Sequence, residues 1–246
     1  MASSPMAEEN TIWETKIVNF LNDDPILRRW EEVPSLTRRM RHYRSQDFRD
    51  ITRHIRDDRI SVFTGSDPGT SDFASYVGKT DARGDLEDYF IFNTFVESEP
   101  TNRPASVVHE VIHAIQDDRR MKLSYVEKEM DAWFVTAVFA LRMLAARKSG
   151  AVDDAEIELK ALMGVPLDKE WSDYPMQDKA VALARRFRKG QSVWDTDDLK
   201  AFENAVRAVY KNAIAVDVER SGRVMHSDDD ALKKLDGRKR MNGIHR

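Results

Sequence analysis

The chain has 246 residues, 41% hydrophobic and 33% charged, the balance of an ordinary soluble globular protein long enough to bury a sizeable core. Its net charge of −4 is too small to point to a partner, and the absence of cysteine excludes disulfides, a thiolate nucleophile and any cysteine-based zinc site. Histidine and carboxylate are the metal ligands that remain.

The first residues show neither a basic start nor an apolar run, and the longest apolar run, Ala132 to Leu141, is far too short to span a bilayer. A cytoplasmic protein without a membrane segment is expected, with signal-less export left open. Residues 1–10 read as a disordered start. From Thr11 the spacing of Ile12, Trp13, Ile17, Val18, Phe20 and Leu21 predicts a helix with one buried face, ending near residues 22–25. A second helical stretch is expected from about Ser35, with Ser35 as its cap.

Ten arginines and no lysine lie between Arg28 and Arg59, interleaved with Trp30, Tyr43 and Phe48. Arginine beside aromatics can grip phosphates and stack on bases. The same span carries Glu31, Glu32, Asp47, Asp50, Asp57 and Asp58, and a face diluted by acids in this way favours local pairing over nucleic-acid binding.

At Ile60 the pattern changes. Ile60 to Thr64 alternates as a strand before the turn residues 65–69, Phe73 to Val77 is a second strand candidate, and Tyr89 to Val96 is the strongest strand in the chain. A helix follows, with Pro104 suited to its first turn and Val108, Val111, Ile112 and Ile115 forming an apolar stripe. The longest helix is expected over 124–148, with Met130, Trp133, Phe134, Ala137, Leu141 and Leu144 as its buried face. Three further helices are expected over 155–163, 177–189 and 196–215, then a mobile tail over 221–246. The expectation is one α+β domain over 11–220: a helical part (11–59), a central part (60–149) and a second helical part (150–220).

The helix after the strands carries His109, Glu110 and His113 in the order H-E-x-x-H. Residues four apart share a helix face, so the two imidazoles can meet one ion, with Glu110 beside it as a general base for a water held there. A catalytic zinc site usually takes three protein ligands, so a third must come from elsewhere. On the next helix Glu127 and Asp131 lie four apart on the edge of the apolar stripe, while Glu129 points nearly the opposite way. Desolvated carboxylates need compensation, which a metal and its histidines supply. The expectation is therefore Glu127 as third ligand and Asp131 as the acceptor that orients one imidazole through its other N–H. A competing account places Glu127 in a capping box with Ser124.

This set, His109-Glu110-x-x-His113 followed by Glu127-x-x-x-Asp131 in the run Glu-Lys-Glu-Met-Asp-Ala-Trp-Phe, resembles the gluzincin metallopeptidases and is similar to compact bacterial zincins over roughly residues 60–145. The resemblance implies a zincin-like fold in which a small sheet lies on the metal helix, its edge strand receives an extended peptide, and zinc and Glu110 hydrolyse a peptide bond. Tyr125, Tyr76 and His226 are the oxyanion donor candidates, His42 and His54 are expected at the surface, and Gln116 is expected as an exposed polar residue. The alternative is a catalytically silent zincin-like module whose arginine-rich helices bind nucleic acid or a protein. A base retained at Glu110 argues against it.

Overall fold

The computed structural model describes residues 5–38, 41–65, 73–78, 88–94, 96–97, 99, 102–147 and 152–211. It is a mixed fold of helices and small sheets, organised around one helix, α5 (Tyr125–Arg147). This helix has no solvent face over most of its length: Ala132, Phe134, Val135, Ala137, Val138, Phe139 and Ala140 are all fully buried. A helix buried on nearly all sides belongs in the centre of a core, and α4 (Pro104–Asp118), α6 (Val152–Leu162), α7 (Pro175–Arg188) and α8 (Thr196–Val209) pack about it. The tail expected over 221–246 lies outside the described residues.

On the far side of α4 lies a three-stranded sheet in the order β3-β5-β4: β3 (Ile60–Gly65), β4 (Ala74–Val77) and β5 (Asp88–Asn93). β5 is central, parallel to β3 with Ile60 opposite Asp88, and antiparallel to β4 with Tyr76 opposite Phe90. The central place explains why β5 is apolar on both faces, since each is covered. β4, at the sheet edge, packs on α4.

α1 (Pro5–Asp23) packs on β3, and its Trp13 ring stacks on Phe92 of β5 at 5.1 Å and tilts against Phe73. The helix starts earlier than expected. Residues 5–10 belong to it, and Asn10 is tied down by accepting the Thr64 N–H at 2.8 Å and the Thr64 hydroxyl at 2.9 Å.

After α2 (Pro25–Arg28) the chain forms a two-stranded pair, β1 (Val33–Pro34) with β2 (His42–Tyr43), and the next helix, α3, begins at Ser45 and ends at Arg56. The helix expected from Ser35 is therefore absent at that point. Ser35 starts no helix, although its oxygen accepts the Arg38 N–H at 2.8 Å as a cap would; its hydroxyl hydrogen goes to the buried Asp131 carboxylate on α5 at 2.6 Å. The local cap signal thus yields a single turn, and the buried acid takes the donor it needs.

Candidate metal centre

α4 rises from Pro104 with its apolar stripe buried, which turns His109 and His113 inward towards α5. Their Nε2 atoms lie 3.3 Å apart. The third group facing them is Glu129, with Oε1 3.4 Å from His113 Nε2 and Oε2 3.5 Å from His109 Nε2. All three residues are buried, and together they could hold one metal ion. Each imidazole nitrogen lies from the other, and from its nearer carboxylate oxygen, at about the 3.3–3.4 Å that separates two donors held at 2.0–2.1 Å around a tetrahedral ion. His109 Nδ1 and Glu129 Oε2 have no hydrogen-bond partner among the described residues. A buried carboxylate oxygen without a donor is costly in a folded protein, and a cation between these groups removes that cost.

The expected third ligand, Glu127, is not part of this cluster. It sits in the first turn of α5, where its Oε2 accepts from the Ser124 N–H at 2.8 Å and the Ser124 hydroxyl at 2.9 Å, while Oε1 pairs with Arg38 at 3.1 Å. The capping box at the helix start claims it, and Glu129 takes the inward position. A single buried stripe does not describe α5: nearly every side of the helix is buried, so the side that carries Glu129 faces α4 rather than solvent. Tyr125, Glu129 and Trp133, four apart in succession, line that side, and the Trp133 ring packs on His109 at 4.6 Å.

Asp131 does not touch an imidazole either. Fully buried, it accepts from the Ser35 hydroxyl at 2.6 Å, the Leu36 N–H at 2.8 Å, the Thr37 N–H at 3.3 Å and the Tyr43 hydroxyl at 2.9 Å. The group that meets His113 Nδ1 is Gln116, whose Oε1 lies 3.1 Å away. Gln116, expected at the surface, is 0% exposed. His54 is buried too, with Nε2 2.8 Å from Asp118 Oδ1 and the Arg59 guanidinium 2.9 Å from its Nδ1.

Glu110 stands beside the cluster, its Oε2 accepting the Tyr76 N–H of the edge strand β4 at 2.7 Å. Of the expected oxyanion donors, Tyr76 and Tyr125 are buried and His226 lies outside the described residues. A further tyrosine, which no local signal marked, feels the site's charge. Tyr210, at the end of α8, accepts from Trp133 Nε1 at 3.1 Å. Burial first, then the charges of Glu129 and Glu110, push its hydroxyl well above the usual phenol range, so it keeps its proton.

The electrostatics describe a cation hole. Burial works against charge on all three groups, but the mutual attraction of His113 and Glu129 outweighs it. Glu129 is held well below the ordinary carboxylate range, and His113 is raised to about 9. His109 shifts the other way, lowered by burial, so it is neutral. One proton, on His113, therefore balances the carboxylate, and it occupies the region where a divalent ion would sit. Asp131 is raised to about 6, because burial outweighs its four donors.

No family model matches the chain, and no match was found among curated proteins or solved structures. Among the described residues no helix is long and apolar enough to cross a membrane.

Proposed function

We propose that the chain is a zinc-dependent metallopeptidase with a zincin-like arrangement of edge strand, metal helix and ligand helix. The observation that carries the reading is the set of His109, His113 and Glu129 donors, buried and close enough to share one ion, beside a second carboxylate, Glu110, that is not part of the set. Two imidazoles and one carboxylate form a donor set that suits zinc and leaves one position open. Zinc, when bound there, supplies a Lewis acid that polarises a carbonyl and makes a water more acidic.

The remaining chemistry belongs to the protein. Glu110, anchored by the Tyr76 N–H, takes the proton of the attacking water and returns it to the leaving amine. Tyr210 receives the Trp133 N–H on its oxygen, so its own O–H is the donor assigned to the developing oxyanion. β4, whose outer edge runs along α4, is where the resemblance places an extended peptide. A general base adjacent to three ligands has no use in a purely structural metal site, which favours an enzyme over an interaction module.

Part of the arginine-rich segment is paired with acids, which weakens the nucleic-acid reading: Arg38 pairs with Glu127 at 3.1 Å, Arg44 with Glu32 at 2.8 Å and Arg53 with Asp50 at 3.0 Å. The test is zinc content and hydrolysis of a mixed peptide library by the wild type and Glu110→Gln. Both should hold zinc, and the variant should be slower by about 10²–10⁴-fold. Zinc retained by both with no turnover by either would replace the peptidase with the interaction module.

A further inference from the structure

We infer that a buried relay, Asp131 to Tyr43 to Gln116, fixes His113 with its hydrogen on Nδ1 and so determines which of its nitrogens meets the metal. The inference rests on the metal-site reading above and assigns three positioning residues rather than catalytic ones.

The direction of each bond follows from what each group can do. Asp131 is surrounded by donors: the Ser35 and Tyr43 hydroxyls and the Leu36 and Thr37 N–H groups. The Tyr43 hydrogen is therefore committed to the carboxylate, and its oxygen can only accept from elsewhere. Gln116 Nε2 lies 3.1 Å from that oxygen and 3.1 Å from the Lys128 carbonyl, which also can only accept. Both hydrogens of the amide are thus used, and the amide has one orientation. Its Oε1 must face His113 Nδ1, and an amide oxygen only accepts, so Nδ1 carries a hydrogen. In a neutral imidazole this leaves the Nε2 lone pair, the atom that faces His109 Nε2 and Glu129 Oε1.

The two histidines therefore differ in kind. His113 is set by a chain of hydrogen bonds through β2, α4 and α5, whereas His109 Nδ1 meets no partner among the described residues and its ring is held by packing on Trp133. The relay also keeps the Asp131 charge two neutral groups away from the imidazole. A carboxylate placed directly on His113 would add a second negative charge to a site that already contains Glu129. The relay transmits orientation without that charge.

The experiment uses the full-length protein loaded with zinc. Nitrogen-15 spectra of its histidines should show His113 with hydrogen on Nδ1 and zinc on Nε2; zinc on Nδ1 overturns the relay, and this measurement needs no variant. Gln116→Leu should weaken zinc binding by about 10–100-fold in a chelator competition, and Tyr43→Phe should weaken it less but in the same direction. Ser35→Ala removes a donor to the same carboxylate outside the relay. It should lower thermal stability while leaving zinc affinity and the His113 signals unchanged. Equal zinc affinity in wild type and Gln116→Leu overturns the relay alone, whereas a wild type that holds no zinc overturns the metal site and the relay with it.

Discussion

Replacing Glu129 by Gln removes the anion that faces both imidazoles, His113 at 3.4 Å and His109 at 3.5 Å, while keeping the size of the side chain. Zinc binding in four-ligand sites amounts to about 10–16 kcal/mol, or about 3–4 kcal/mol per ligand, so losing this one should weaken affinity on the order of 10²–10³-fold. The proton on His113 complicates the comparison at neutral pH. Glu129 raises His113 to about 9, so zinc must expel that proton from the wild type, whereas the variant loses the attraction that holds it. Chelator competition at pH 9 or slightly above isolates the ligand effect. Glu127→Gln, by contrast, should leave zinc affinity within about twofold. It should instead lower thermal stability by about 0.5–2 kcal/mol through the Ser124 capping box and the Arg38 pair. The reverse order, with Glu127→Gln losing zinc and Glu129→Gln keeping it, would refute the ligand set read from the donor distances.

Zinc affinity of the wild type should rise about tenfold per pH unit through the neutral range and level off near pH 9, because one proton leaves His113 as the ion enters; an affinity flat between pH 6 and 8 would contradict the single shared proton. The metal-free protein should show the complementary trend. His113 is raised above its unfolded value of 6.5, so its stabilising contribution is complete below that pH and is lost as pH rises towards 9, which thermal melts with chelator will detect. Phe134→Ala, at a fully buried position against the Phe187 ring at 6.0 Å, should cost about 3–5 kcal/mol in urea unfolding. Gly78→Ala places a methyl 2.3 Å from Asp117 Oδ2, the partner of the buried Lys128, and should cost about 1–3 kcal/mol; an unchanged melting temperature would mean that Asp117 moves aside freely.

The elements legible in the sequence were those with a strong local period. β3 alternates, β5 is aromatic and branched throughout, and α4 carries its stripe with the histidine pair on the flank, so each was placed within a few residues. The carboxylate that faces the histidine pair was not legible for a physical reason. Periodicity identifies a buried face by contrast with an exposed one, and α5 has almost no exposed face, so Glu129 looked solvated when it was facing another helix. Its neighbours gave the available hint: Tyr125 and Trp133 stand one turn before and after it, and two large aromatics flanking an acid are a poor solvent face. The burial of Ser35 and of the Gln116 amide is not legible locally, because Asp131 and Tyr43, which they bond, are distant in sequence. The Ser35 hydroxyl bonds an acid 96 residues away, and nothing local distinguishes it from a helix cap.

Three acidic or basic side chains follow one another almost without interruption on α5, each buried and each answered by a different part of the chain. Lys128 reaches Asp117 at the end of α4 at 2.5 Å, Glu129 meets the histidines in the middle of α4, and Asp131 is wrapped by the Ser35 and Tyr43 hydroxyls and the Leu36 and Thr37 N–H groups. Removing one partner of such a group leaves a buried charge uncompensated, which is far more costly than the intact pair is stabilising. The register of α4 against α5 is therefore fixed at two successive levels by charge, in addition to apolar packing. A shift of one turn, about 5.4 Å, would separate Lys128 from Asp117 and Glu129 from both imidazoles at once. The same constraint that aligns the helices holds the donor atoms at ligand spacing before any ion arrives. Most of the ordering cost of the site is then met by folding, so zinc should bind with little structural change. Metal-free and zinc-loaded protein should accordingly give nearly identical far-ultraviolet circular dichroism, and a large gain of helix on adding zinc would show that the register is set by the ion instead.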